Sequence, residues 1–190
     1  MSQSLSILKS KLNANILPKV PISDGVVSSV LVPLAIDLIS GKEWIVMTKR
    51  PETVATHKGQ VCFPGGYREV LDPHVLDTAL REANEEMGIQ SGDVDVLGLM
   101  DVVRTHQGVL IYPFLGIIPF PYPFQTSPHE VAKLVMLPLD QLVSEGLKSV
   151  QVEAEGSLVS STGIWCDGEL IWGASAKILE QLHTLLVLAD

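Results

Sequence analysis

A chain of 190 residues, 46% hydrophobic and 18% charged, is long enough for one domain with a sizeable core and too apolar to be disordered. Its net charge of -9 at pH 7 excludes a surface built for non-specific nucleic-acid binding, although a cation can still bridge acidic side chains to a phosphorylated small molecule. Two cysteines, Cys62 and Cys166, are too few for a disulfide framework or a four-thiolate zinc site, and predict reduced, buried thiols. Met1 to Val20 lacks the basic start and apolar block of a signal peptide. No apolar run reaches the roughly 18–20 residues that a membrane span needs, so a cytoplasmic protein without membrane attachment is expected.

In chain order, Leu5, Ile7, Leu8 and Leu12 predict a short helix over Ser4 to Asn13, and Pro18, Pro21 and Gly25 mark a linker. Val26 to Asp37 and Trp44 to Lys49 are β-branched runs around Ser40-Gly41-Lys42, a hairpin signal. Pro51 to Gly59 reads as a loop, and Gln60 to Phe63 as a short strand ended by Pro64-Gly65-Gly66. From about Pro73 to Met87 the period becomes helical, with Leu76, Ala79, Leu80, Ala83 and Met87 on one side and Gly88 as the stop. Asp93 to Val103 and Val109 to Ile118 are expected strands, and Pro119 to Pro128 a proline-rich loop. Lys133 to Leu137 follows as a strand and Leu139 to Ser144 as a helical turn. Val150 to Ala154, Gly163 to Cys166 and Leu170 to Trp172 predict a β-meander, before a last helix over Ala174 to Leu188. The three tryptophans, Trp44, Trp165 and Trp172, fall in strand-like runs and are expected in the core. The pattern as a whole predicts an α/β protein with a mixed sheet covered by helices.

The second helix carries the chemistry. At about 100° per residue, Glu85 lies about 60° to one side of Glu82 and Glu86 about 40° to the other, so all three carboxylates share a face beside the apolar stripe. Like charges at this spacing repel by a few tenths of a kcal/mol per pair. A hard divalent cation such as Mg²⁺ or Mn²⁺ reverses that balance, because carboxylate oxygens are its preferred ligands. Arg81, just before them, can pair with a neighbouring carboxylate and fix its orientation.

These residues form a recognisable signature. Arg81-Glu82-Ala83-Asn84-Glu85-Glu86-Met87-Gly88-Ile89, preceded by Gly65-Gly66 and Asp72, resembles the box of the Nudix hydrolases. Counting from Gly66, the acidic position is Asp72 and eight residues rather than seven separate it from Arg81, a form similar to that of coenzyme A pyrophosphatases. Thr78 to Ala83 fits that branch, as do Thr48-Lys49-Arg50, His57 to Gly66 and Ile171 to Leu179. The similarity runs from about Val26 to Leu188. It implies an N-terminal helix and linker over 1–25 and a Nudix α/β/α sandwich over 26–190, with the box at about 66–89.

The resemblance also implies roles. Glu82 and Glu86 are the expected metal ligands, with Glu85 a third, and Glu85, Glu86, Arg81 and Glu130 are the expected catalytic group. Glu130, in Ser127-Pro128-His129-Glu130-Val131, matches a downstream Glu-Val position and is a candidate base or further ligand, or simply an exposed loop glutamate. Arg50, His57 and Lys58 are candidate phosphate contacts, with Lys49 and His106 as further possibilities, and Gly65 and Gly66 let the backbone approach the substrate. The reaction implied is metal-dependent hydrolysis of a pyrophosphate bond in coenzyme A or an acyl-coenzyme A. The branch usually has an arginine where this chain has Ala55, which leaves ADP-ribose, NADH or another dinucleotide open as substrate. A catalytically silent nucleotide- or protein-binding module is the alternative of another class. Val26 to Ile36 and the proline-rich loop suit either a homodimer interface or the core.

Overall fold

The computed structural model describes residues 3–12, 26–54, 56–154 and 156–187. The expected linker and the substituted position Ala55 lie outside them. The first helix, α1 (Gln3–Lys11), precedes strands β1 (Val27–Asp37), β2 (Glu43–Lys49), β3 (Val61–Cys62) and β4 (Gly65–Tyr67), then helix α2 (Val75–Met87). Strands β5 (Asp95–Leu99), β6 (Val103–Arg104), β7 (Leu110–Phe120) and β8 (Lys133–Pro138) follow, then α3 (Leu139–Glu145). The chain closes with β9 (Lys148–Ala154), β10 (Ser157–Cys166), β11 (Glu169–Trp172) and α4 (Gly173–Val187).

The main sheet is mixed, in the order β3-β2-β1-β7-β5, with β4 also on β1, β6 on β7 and β8 on β2. Its spine is the parallel pair β1 and β7, in register from Val27↔Leu110 to Asp37↔Phe120. Along its other edge β1 pairs with β2 at Leu34–Ile36 and with β4 at Ser28–Val30. Leu31 N–H donates to Pro64 O and Asp37 N–H to Lys42 O, both toward that edge. The two-residue period puts the nitrogen of Pro33 on the same edge, in the gap between the two paired stretches, where its missing donor leaves no ladder bond unmade. A separate antiparallel sheet, β11-β10-β9, forms the expected meander.

Successive residues of β1 feed opposite faces. Val30, Val32, Leu34 and Ile36 join Leu8 of α1 and Ile178, Leu179 and Leu182 of α4 in one core cluster. Leu31 and Ala35 join Val75, Leu76, Ala79, Ala83 and Met87 of α2 in the other. Helices therefore cover both faces of the mixed sheet, the predicted α/β arrangement. Residues 29–36 of this strand are buried in the core.

Three local expectations are corrected. Gly65-Gly66 does not end a strand but starts β4: a Cβ at Gly65 would stand 2.4 Å from Ser29 O, so glycine lets β4 close on β1. Asp93 to Val103 is not one strand. A turn of 3₁₀ helix (Ser91–Asp93) precedes β5, a bulge falls between Val96 and Gly98, and residues 100–102 interrupt before β6. Trp165 is 59% exposed on the outer face of β10, while Trp44 packs its ring 4.6 Å from that of Phe120. Among the described residues no helix is long and apolar enough to cross a membrane.

Candidate active site

The site is assembled from α2, β4 and the loop after β7. Asp77 accepts the His74 N–H at 2.8 Å at the start of α2. Gly88, at φ 72°, ends it in the left-handed conformation, with its N–H on Asn84 O at 2.8 Å. Burying the stripe Val75, Leu76, Ala79, Ala83 and Met87 fixes the rotation of the helix, and with it the direction of the glutamates. They are not equivalent. Glu86 is 4% exposed, the Glu82 side chain 15% and the Glu85 side chain 53%.

The buried Glu86 and the half-buried Glu82 both face β4. Gly65 N–H approaches Glu86 Oε1 at a long 3.5 Å, and a Cβ on Gly66 would stand only 2.2 Å from Glu82 Oε1. The double glycine thus makes room for the acids as well as for the sheet pairing. Ser28 Oγ donates to Gly66 O at 2.8 Å and holds this short strand in place.

Arg81 orients the outer acids. Its Nη1 donates to Glu82 Oε1 at 2.9 Å and to Glu85 Oε2 at 3.1 Å. Its Nε and Nη2 grip Asp72 at 3.2 and 3.1 Å, and Nη2 also reaches Tyr67 O at 3.3 Å. Asp72 is buried and accepts further bonds from Glu69 N–H at 3.0 Å and Thr78 Oγ1 at 2.9 Å. Burial pushes its carboxyl up, but the bonds from Arg81, Glu69 and Thr78 outweigh that and hold it below the usual range. The bond to Asp72 raises the Arg81 guanidinium further, so it stays charged. Thr78, six residues past Asp72, is a supporting residue that sequence reading did not single out.

The loop after β7 is clipped over the end of α2 by backbone alone. Gln125 N–H donates to Met87 O at 3.0 Å and Ser127 N–H to Glu86 O at 2.9 Å. Ser127 O then accepts the N–H groups of Glu130 and Val131, and Val131 is buried. This turn brings Glu130 close enough for its charge to act on Glu82 and Glu86.

Burial pushes Glu86 up to about 8, with the Glu82 and Glu130 charges adding to it and Gly65 N–H and Arg50 opposing. Burial likewise raises Glu82, against the bond from Arg81. Both are hard oxygen donors, Glu86 has no paired cation, and a divalent cation fits that need. Among the described residues no three acids are already closed around one point: Arg81 holds Glu82 and Glu85, and Glu86 stands apart from it.

Of the expected substrate contacts, Arg50 reaches the site. Its charge acts on Glu86, and its Nε is buried without a hydrogen-bond partner. Lys49 is committed elsewhere, to Glu169 at 2.9 Å. His57 is exposed and shares a 3.0 Å bond with Gln60, Lys58 is exposed in the same loop, and His106 is exposed in the turn between β6 and β7. No contact joins these three to the glutamates. Cys62, by contrast, lies beside the site. Its thiol is 3.5 Å from Thr48 Oγ1 and is raised by burial, with the Glu86 charge adding to it. Both cysteines are free.

Comparison with known proteins identifies the family. The model of the NUDIX domain matches residues 31–155. An uncharacterized Nudix hydrolase NudL of Photorhabdus laumondii is 34% identical over 82% of this chain and 82% of its own length. A protein of the same description from Yersinia pestis is 32% identical over 82% of this chain and 77% of its own. Among solved structures, a MutT/nudix family protein from Enterococcus faecalis aligns over all of this chain and 81% of that one, with a TM-score of 0.56 at 13% identity. A C. elegans Ap4A hydrolase aligns over 61% of this chain and 83% of its own, at 0.51 and 16%. Nudix hydrolases act on nucleoside diphosphate derivatives and generally use divalent metals, and this chain belongs to the Nudix family.

Proposed function

We infer that this chain, with its catalytic domain over 26–190, is a cytoplasmic pyrophosphohydrolase that cleaves coenzyme A or an acyl-coenzyme A. The products are 4′-phosphopantetheine, or its acyl form, and adenosine 3′,5′-bisphosphate. The observation that carries the hydrolase reading is the pair of carboxylates, buried Glu86 and half-buried Glu82, turned onto the Gly65-Gly66 strand. The coenzyme A assignment rests on the eight-residue spacing from Asp72 to Arg81 and on the flanking runs His57 to Gly66 and Ile171 to Leu179.

Glu82 and Glu86, with Glu85 at the rim, would hold Mg²⁺ or Mn²⁺, whose charge would offset that of the pyrophosphate and make water easier to deprotonate. Arg81 sets the Glu82 and Glu85 side chains at fixed positions and is itself fixed by Asp72. Gly65 and Gly66 let the protein backbone come close to the substrate where a side chain would intrude. Arg50, with a buried donor unused by the protein, is the phosphate contact. Glu130, exposed at the rim, accepts the proton of the attacking water.

The test is product analysis after incubation with coenzyme A, ADP-ribose or NADH in Mg²⁺ or Mn²⁺. Release of adenosine 3′,5′-bisphosphate from coenzyme A in preference to cleavage of the other two is expected. Intact coenzyme A with ADP-ribose or NADH consumed defeats the substrate assignment and keeps the family chemistry. No turnover of any pyrophosphate defeats both.

A further inference from the structure

A cleft of about 520 Å³ lies away from the glutamates, across the sheet, between α4 and residues 99–104. Its floor includes Met100 and Val103, which belong to the core cluster of α1 and α4, away from α2. This volume suits a mononucleotide-sized ligand.

Three polar features converge there. Gln181 Nε2 donates to Asp101 O at 3.1 Å, which fixes the amide orientation, because only the nitrogen end can donate to a carbonyl. Gln181 Oε1 is buried and without a partner. A buried acceptor left unmade is costly and calls for a ligand N–H or O–H. Arg104 and Lys177 stand at the margin. Asp101 and Glu180 border the same cleft, yet no carboxylate among the described residues lies within 4 Å of either cation. In a chain of net charge -9, two unpaired cations beside an apolar floor and an unfilled acceptor form an unusual combination.

We propose that this cleft is a second ligand site, taking a mononucleotide-sized organic phosphate. Its phosphate pairs with Arg104 and Lys177, its apolar or aromatic body lies on Met100 and Val103, and one N–H or O–H donates to Gln181 Oε1. The site is separate from the glutamate helix and independent of the substrate assigned there.

The experiment is calorimetric titration of the full chain in EDTA, where the acidic site has no cation to attract phosphate. The probes are AMP, adenosine and inorganic phosphate. AMP should bind one-to-one, at least tenfold more tightly than adenosine or phosphate alone. Arg104→Gln and Lys177→Gln should each weaken AMP about tenfold, the size expected of a lost bond to a charged group. Both side chains are exposed, so folding should survive; unchanged melting curves would verify this. Gln181→Leu, which removes the acceptor, should weaken AMP several-fold. No AMP binding at millimolar concentration overturns the proposal. So does binding that the Arg104→Gln/Lys177→Gln pair leaves intact, or binding abolished instead by Glu82→Gln/Glu86→Gln.

Discussion

Placing one methyl group at Gly66 separates the role of the double glycine in catalysis from its role in the fold. Neither Gly65 nor Gly66 has a left-handed backbone, so alanine is conformationally allowed at both and the contacts decide the outcome. In Gly66→Ala the new Cβ meets Glu82 Oε1 at 2.2 Å and Cδ at 2.5 Å. Ordinary contact is about 3.5 Å, so the carboxylate must retreat by about 1 Å. It can, because it is the end of a flexible side chain. A 1 Å misplacement in an active site costs about a hundredfold in rate, or about 2.7 kcal/mol in the barrier. Stability should change little, since relief of unfolded-state entropy contributes about 0.4–1 kcal/mol in the opposite sense to any residual strain. In Gly65→Ala the Cβ meets Ser29 O at 2.4 Å and Val30 Cα at 2.8 Å, backbone of the neighbouring strand that cannot swing away. That variant should lose about 1–3 kcal/mol of stability. Urea unfolding and kcat with saturating Mg²⁺ measure the two effects. A Gly66→Ala enzyme within twofold of the parent kcat would refute the reasoning, because Glu82 would then not need its present position.

Other outcomes follow from the same geometry. Glu86 is raised from 4.5 to about 8 in the metal-free protein. Between those values the folded state keeps a proton that the unfolded state has lost, so stability in EDTA should fall as pH rises from about 4.5 to 8, by an amount on the order of a few kcal/mol. Glu86→Gln should abolish most turnover yet melt higher than the parent at pH 8 in EDTA, an advantage that shrinks toward pH 5; no such crossover in a melting series would contradict the burial argument. For Asp72→Ala, four lost bonds, two of them from the Nε/Nη2 edge of a part-buried Arg81, should cost about 3 kcal/mol in urea unfolding. Glu130→Gln should lower kcat about a hundredfold with KM nearly unchanged and without loss of stability, and an unaffected kcat would remove it as the base.

The sequence made much of this legible because its signals are periodic. The stripe on α2 fixed helix, face and stop, and the β-branched runs gave β1, β2, β7 and β8. What it could not display was contact at long range. β4 has two glycines in three residues and so no side-chain pattern to read; only its pairing with Ser28–Val30 reveals it as a strand. On a wheel, Glu82, Glu85 and Glu86 look alike, whereas the fold buries Glu86 and leaves Glu85 in water. The difference comes partly from the loop hung on Glu86 O by Ser127 N–H, a backbone bond for which no residue type is diagnostic. His57 and His106 drew attention as residue types, yet neither touches the glutamates. Arg50 was legible by type and by neighbourhood, while its unfilled Nε is a property of packing alone.

The division of labour among the charges follows from which acids Arg81 can reach. Its guanidinium is already committed on one edge to Asp72, a carboxylate locked by two other groups, so it cannot swing freely. The remaining Nη1 serves Glu82 and Glu85 together. Glu86 is left with one long bond from Gly65 N–H, in the most buried position of the three. Arginine thus orients the outer acids but does not neutralise the inner one. Burying a lone carboxylate in this way is unfavourable for the bare protein, and a cation that binds only the ionised form removes the penalty. In this reading the fold keeps Glu86 short of compensation so that a divalent ion supplies it, and Arg81 keeps Glu82 in place until it does.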